Sequence, residues 1–167
     1  MTTVPTTAVT RREPELPGQT VVIIGGSAGI GLETARRART EGAEVVLATR
    51  DADRLRQAAA EVGASRTGAF DATDPAALER FFAGLPAPVD HVMVTGPGPY
   101  YAPLAEPDRE RTHRAFDAHQ WLAIEVARLA AGRVRPGGTL LFMGGTTGRS
   151  RGPACRSSRR PPPRCPP

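Results

Sequence analysis

The chain has 167 residues, enough for one domain with a real core and too few for two. A hydrophobic content of 40% excludes a fibre or a disulfide-held miniature scaffold. The net charge of +5 suggests a nucleic-acid partner only until it is located: six arginines (149, 151, 156, 159, 160 and 164) and no acidic residue lie beyond Gly148, leaving 16 cations against 17 anions in residues 1–148.

Residues 1–18 read as a disordered Thr/Pro/Arg leader without the apolar core of a signal peptide, and no segment reaches membrane-spanning length. From Thr20 short apolar runs alternate with longer amphipathic ones. Strands are predicted at Thr20–Ile24, Glu44–Thr49, Thr67–Phe70, His91–Thr95 and Thr139–Met143. Helices are predicted at Ile30–Thr40, Ala52–Val62, Pro75–Ala83 and Asp108–Ala131. Asp74 before Pro75 forms an N-cap with proline at the first helical position, and Asp51 is placed to cap the second helix in the same way. Gly132 follows the long helix as a stop, and Pro136-Gly137-Gly138 turns the chain into the last strand. Strands apolar at successive positions suit a sheet covered on both faces, and the alternation implies parallel strands with right-handed crossovers, hence an α/β doubly wound fold over residues 19–148. Residues 149–167 hold six prolines among the arginines and are expected to be disordered. Cys155 and Cys165 lie there with nine residues between them, fit no metal spacing, and suit a reduced cytoplasmic protein.

The segment Ile24-Gly25-Gly26-Ser27-Ala28-Gly29-Ile30-Gly31 follows an apolar strand and opens a helix. Gly25 suits a sharp turn, Gly29 lets backbone approach a diphosphate, and Gly31 lets the helix pack against the sheet. Amides at the helix start, with its dipole, would hold the phosphates, and Ser27 could add a hydroxyl. The same letters match G-x-S-x-G, a hydrolase nucleophile elbow, but that fold needs strands before the elbow, where this chain has only the leader. At the second strand's tip, Arg50 suits the extra phosphate of NADP(H), whereas Asp51, one step on, would suit the ribose of NAD(H). The preference is read as NADP(H).

With these motifs the sequence resembles the short-chain dehydrogenase/reductase family over roughly residues 20–148. The Gly25-x-x-x-Gly29-x-Gly31 spacing, "VVLATRDADRL" (45–55), "FDATDPAAL" (70–78), "VDHVMVTGPGPYYAPL" (89–104) and "GGTLLFMGGTTG" (137–148) carry the likeness. It implies a Rossmann-type sheet ordered 3-2-1-4-5, nicotinamide dinucleotide bound with Ile30, Asp71, Thr95 and Gly96 also contributing, and a small carbonyl or alcohol substrate. The departures are equally specific. Thr95-Gly96-Pro97-Gly98 stands where the family has Asn-Asn-Ala-Gly, His119 falls near its catalytic asparagine, and Gly145 falls at its serine, with Thr146 and Thr147 beside it. The Tyr-x-x-x-Lys pair is missing, since every basic residue is arginine and Tyr100 and Tyr101 come too early. The weak catalytic candidates are therefore His119 and Thr146. His91 and His113 are expected to be structural, and Tyr100, Tyr101 and Trp121 to line the core or a cleft. The resemblance implies an oxidoreductase whose activity in this chain is doubtful. The alternatives are a non-catalytic NADP(H) sensor or a non-functional truncated product.

The family's further helix, strands and substrate lid are not found, and the Arg/Pro tail reads like GC-rich coding sequence in the wrong frame; codons for Pro153–Pro167 can be chosen so that a shifted frame gives GLSVISAATAALPA. The sheet is thus expected to be incomplete on its C-terminal side, with an apolar edge at 139–143, marginal stability and self-association. The tail's arginines could give salt-sensitive contact with nucleic acid or anionic lipid, but no aromatic residues interleave with them and no binding fold carries them.

Overall fold

The computed structural model describes residues 16–96, 100–103 and 105–144. Its elements run β1 (Thr20–Ile24), α1 (Gly29–Thr40), β2 (Glu44–Thr49), α2 (Ala52–Val62), β3 (Arg66–Ala69), α3 (Pro75–Ala83), β4 (Val89–Val94), α4 (Arg109–Ala130) and β5 (Val134–Phe142). All four strand pairings are parallel and the sheet order is β3-β2-β1-β4-β5, so the doubly wound topology read from the alternation holds.

The unbroken apolar runs follow from the two covered faces. Val22 and Ile24 of β1 pack with Val46 and Ala48 of β2 against Leu78 and Phe82 of α3 and Leu122 and Val126 of α4. The intervening Val21, Ile23, Val45 and Leu47 point to the opposite face and meet Ala35 and Ala38 of α1 and Leu55, Ala58 and Val62 of α2. Leu16 packs against this second cluster.

The helix caps fall where the aspartates predict. Asp51 accepts from the amides of Asp53 and Arg54, and Asp74 from those of Ala76 and Ala77. The largest correction concerns the last strand. Val134 pairs with Val89 and Thr139 with His91, so residues 135–138 lie opposite Asp90 alone. Pro136-Gly137-Gly138 is thus an excursion inside β5 and not a turn before it. Gly137 takes φ +83°, and a Cβ on Gly138 would stand 2.4 Å from the Asp90 carbonyl oxygen. The other offsets are small: β3 begins at Arg66 where Thr67 is expected, and β4 begins at Val89 where His91 is expected.

Asp90 explains the excursion. Its side chain is buried, with 7% of the residue accessible; it accepts from the Thr20 amide at 2.7 Å and pairs with Arg135, which the excursion carries. It ties β1, β4 and β5 together at the N-terminal end of the strands. Near it His91 exchanges a hydrogen bond of 2.7 Å with Gln19, the structural role expected of it, and His113 is exposed on α4. β5 is an edge strand, and Leu141, Phe142 and Met143 at its end are 48%, 38% and 40% exposed. No helix among the described residues is long and apolar enough to cross a membrane. Thr146, Thr147, Gly145 and the whole Arg/Pro tail lie outside the described residues.

Replacing Asp90 with Ala leaves the buried Thr20 amide without its acceptor and should lower unfolding stability by about 2 kcal/mol, read as a fall in the urea midpoint at unchanged slope. The site described next lies at the other end of the strands, so ligand binding by the folded fraction should not change.

Candidate functional site

The C-terminal ends of β1, β2, β3 and β4 meet at one crevice, where the order reverses between β1 and its neighbours β2 and β4. Leaving β1, the Gly25 amide donates to the Ala48 carbonyl of β2 at 2.7 Å and Gly25 takes φ +93°. A Cβ there would stand 2.1 Å from Thr95 Oγ1, the hydroxyl that donates to the Ile24 and Gly25 carbonyls. A Cβ on Gly31 would stand 2.4 Å from the Gly25 carbonyl oxygen. Both glycines are therefore fixed by packing, and α1 starts against the tip of β1.

Gly29 differs. It takes φ +53°, and a Cβ on it would meet nothing within 4 Å. No side chain caps α1 at Ala28; the first amide with an acceptor in the helix is that of Leu32, which reaches the Ala28 carbonyl at 3.2 Å. The amides of Gly29, Ile30 and Gly31 have no acceptor among the described residues, so the positive end of the helix is open to an anion. Ile30 stands beside them 60% exposed. Ser27 donates to Thr49 Oγ1 at 3.2 Å, bracing the turn on β2, and no base lies against it among the described residues. The nucleophile-elbow alternative has no catalytic partner.

A cavity of about 140 Å3 opens beside the turn, lined by Gly25, Ala48, Thr49, Arg50, Asp71 and Gly96 among others. Asp71 Oδ1 accepts from the Thr73 amide at 2.9 Å and the Thr73 hydroxyl at 2.8 Å, leaving Oδ2 4.0 Å from Arg50. The Thr73 amide is the main cause that holds the Asp71 carboxyl below its usual range; burial, the next largest influence, opposes it, and the Thr73 hydroxyl and then the Arg50 charge add to the lowering. Its folded pKa being depressed, the ionised group stabilises the fold above the usual value of about 4 and that contribution is lost on acidification below it. Asp51 is used differently. Its Oδ1 caps α2 and its Oδ2 pairs with Arg54 at 3.2 Å, with the Arg54 amide the main cause of its own lowered pKa.

Gly96, at φ +70°, also borders a smaller cavity of about 50 Å3 lined by Thr95, His119, Phe142 and Met143. His119 Nδ1 lies 3.0 Å from the Ala115 carbonyl. A carbonyl cannot donate, so Nδ1 carries the proton and Nε2 is left for another partner. Tyr100 and Tyr101 are not in this cavity: Tyr100 lies under the Arg111 guanidinium at 5.2 Å and Tyr101 is 41% exposed. Trp121 is not core either; it is 57% exposed and borders a cleft between α3 and α4. The structure thus gathers Gly25, Ser27, Gly29, Ile30, Gly31, Arg50, Asp71, Thr95 and Gly96 at one crevice, with His119 at its far side. Thr49 and Thr73, which position Ser27 and Asp71, are additions; the Asp-x-Thr spacing of 71–73 was the readable signal for the second.

The family model described as short chain dehydrogenase matches residues 19–154. The chain belongs to the short-chain dehydrogenase family. Among its relatives, human retinol dehydrogenase 12 is 30% identical over 119 residues, covering 66% of this chain and 36% of the relative. The 1-deoxy-11-beta-hydroxypentalenate dehydrogenase of Streptomyces exfoliatus is 36% identical over 123 residues, covering 68% and 44%. The chain spans less than half the length of these curated relatives. Among solved structures, BdcA from E. coli in complex with NADPH superposes with a TM-score of 0.73 at 26% identity over 81% of this chain and 55% of that one. A short-chain type dehydrogenase/reductase from Mycobacterium ulcerans gives 0.77 at 21% identity, covering 83% and 55%, and shares the fold. Members of this family bind nicotinamide cofactors, and the glycine packing, the open amides and the cation at the β2 tip of this chain fit such a dinucleotide.

Two glycine variants separate packing from binding. Gly25→Ala meets both the Thr95 clash and a left-handed backbone, so it should lower thermal stability as well as cofactor affinity. Gly29→Ala meets open space and costs about 1 kcal/mol of backbone strain, yet it places a methyl group before the open amides; its melting curve should change little while NADPH binding falls at least about tenfold, which is ~1.4 kcal/mol.

Proposed function

We propose that this chain is the NADP(H)-binding part of a short-chain oxidoreductase that interconverts a small alcohol and its carbonyl compound, and that the chain by itself turns over slowly or not at all. The observation that carries the NADP(H) reading is the division of labour at the β2 tip. Arg50 borders the dinucleotide cavity, whereas Asp51, the rival residue for a ribose diol, is committed to capping α2 and to Arg54. A guanidinium grips a phosphate with two parallel hydrogen bonds, and among the described residues the only anion against it is Asp71 at a loose 4.0 Å, which a phosphate can displace. NADPH in BdcA, a neighbour at 26% identity, agrees with this choice.

The dinucleotide, when bound, supplies the hydride. The residues of this chain do the rest. The Gly29, Ile30 and Gly31 amides hold the diphosphate, Ser27 and Thr95 keep the turn in place, Arg50 takes the 2′-phosphate, and Asp71 borders the adenosine. Of the two candidates for handing over or accepting a proton, His119 borders the crevice on the β4–β5 side, with Nε2 left for a partner, and Thr146 lies outside the described residues. Proton transfer from a well-placed acid is worth about 10²–10⁴-fold. The chain contains no lysine and so no Tyr-x-x-x-Lys pair, and a histidine alone recovers only part of that factor. The reduced, cytoplasmic setting and the capacity to self-associate belong to the same proposal. The latter rests on the apolar end of β5 and on exposed Phe116 and Ile124 of α4.

Calorimetric titration of the purified chain tests the reading. NADPH should bind at least about tenfold more tightly than NADH, and Arg50→Ser should erase the difference while leaving NADH affinity within about twofold. Tighter NADH binding, or no binding of either at millimolar concentration, would overturn it. NADPH oxidation with a panel of aldehydes and ketones should stay near background, and His119→Gln should remove what remains.

A further inference from the structure

The adenosine end of the crevice opens into a second, larger cavity of about 580 Å3 between α3 and α4, which shares Arg50, Ala72, Thr73 and Leu122 with the dinucleotide cavity. Its α4 wall is one helical face: residues 114, 117, 118, 121, 122 and 125 follow the i, i+3, i+4, i+7 spacing. The volume lies in the range of small-molecule sites. Leu78, Ala118 and Leu122 make an apolar floor, and Trp121, the only tryptophan of the chain, lies at the wall with 57% of its surface exposed. That exposure is what an aromatic side chain waiting for a ring or a cation would show, and it has no packing explanation within the domain.

The charges around the cleft indicate what would enter it. Four charged residues line it: Arg50 at the end shared with the dinucleotide cavity, and Arg114, Asp117 and Glu125 on α4. Arg50 faces Asp71, Arg114 pairs with Glu110, and Glu125 accepts from Arg128 at 2.8 Å. Asp117 has no hydrogen bond or ion pair among the described residues. It lies one turn before Trp121 on the same face. Along the α4 wall the charge left without a partner among the described residues is therefore a carboxylate beside an aromatic ring, a combination that favours an organic cation over a neutral or anionic ligand.

We propose that the α3–α4 cleft is a binding site for a small organic ammonium with an apolar body, its charge held between Asp117 and the face of Trp121 and its body on Leu78, Ala118 and Leu122. The cleft joins the crevice at Arg50 and Thr73, and His119 is not among its lining residues, so the ligand is an effector and not the reactant. The site does not require the dinucleotide, and a failed NADPH titration leaves it standing.

The test uses Trp121 as its own reporter. 2-Phenylethylammonium, 2-phenylethanol and phenylacetate are titrated into the full chain while indole emission is followed. The ammonium should give a saturable change, the alcohol should need at least about tenfold higher concentration, and phenylacetate should give none. Asp117→Asn, an exposed change whose fold is checked by circular dichroism, should weaken the ammonium to the level of the alcohol. Trp121→Ala, read by calorimetry, should weaken it by about threefold. Equal affinity for ammonium and alcohol, or an Asp117→Asn variant that binds the ammonium as before, would overturn the proposal. The NADPH titration of the Asp117→Asn variant should match that of the unaltered chain, which separates loss of this site from loss of the neighbouring one.

Discussion

The contact between Gly31 and the Gly25 carbonyl is where the rest of the site begins. With 2.4 Å between that oxygen and the place a Cβ would occupy, only hydrogen fits, and so α1 can start directly against the tip of β1. That position has two consequences at once. It buries Ala35 and Ala38 of α1 against Val21 and Ile23 of β1, and it aims the uncapped start of the helix into the crevice between β2 and β4. Packing and anion binding are thus produced by the same small residue. A bulkier one would push the helix away and lose both, and a capping side chain at Ala28 would satisfy the amides and lose only the second.

Electrostatic roles at the β2 tip are divided by hydrogen bonding more than by charge. Arg50 and Asp51 are neighbours, and the sequence presents them as rivals for the sugar end of a dinucleotide. The backbone engages one of them, because a carboxylate just before a helix is drawn to the free amides of Asp53 and Arg54. Asp71 is held in a comparable way by the Thr73 amide and hydroxyl, which keeps it ionised and facing Arg50 without gripping it. An exposed pair at 4.0 Å contributes little to stability. Its effect is on orientation: the guanidinium is held at the cavity while remaining free to exchange a carboxylate for a phosphate.

Much of this was legible in the chain itself, and the reasons are local. Unbroken apolar runs in β1 and β2 announce strands covered on both faces, Asp74-Pro75 announces a helix start, and the Gly25–Gly31 spacing announces the turn. These signals depend on neighbours in sequence. What was not legible depends on residues far apart. Pro136-Gly137-Gly138 reads as a turn, yet it bulges within β5, because Arg135 must reach the buried Asp90 while Gly138 passes close to its carbonyl. Trp121 reads as core or cleft-lining by its chemistry, and only the packing of α4 beside α3 decides for the cleft. Thr146 lies outside the described residues.

The two ends of the strands carry different burdens, and the asymmetry has a physical origin. In a parallel sheet every strand delivers its carboxyl end to the same side, so the helix starts of α1, α2 and α3 collect there; Asp51 and Asp74 cap α2 and α3, while α1 keeps its first amides open. That end can bind anions but cannot itself be tightly closed, since its amides must stay available. The opposite end has no such obligation and is closed by Asp90, which takes an amide from β1 and a guanidinium from β5. Because β5 is reached through that clamp, anything that loosens Asp90 frees the edge strand first, and with it Phe142 and Met143 beside His119. The dinucleotide turn, anchored on β1, β2 and Thr95 of the β4 tip, would be affected last. The dinucleotide turn and the His119 side of the crevice are therefore anchored on different strands of the sheet.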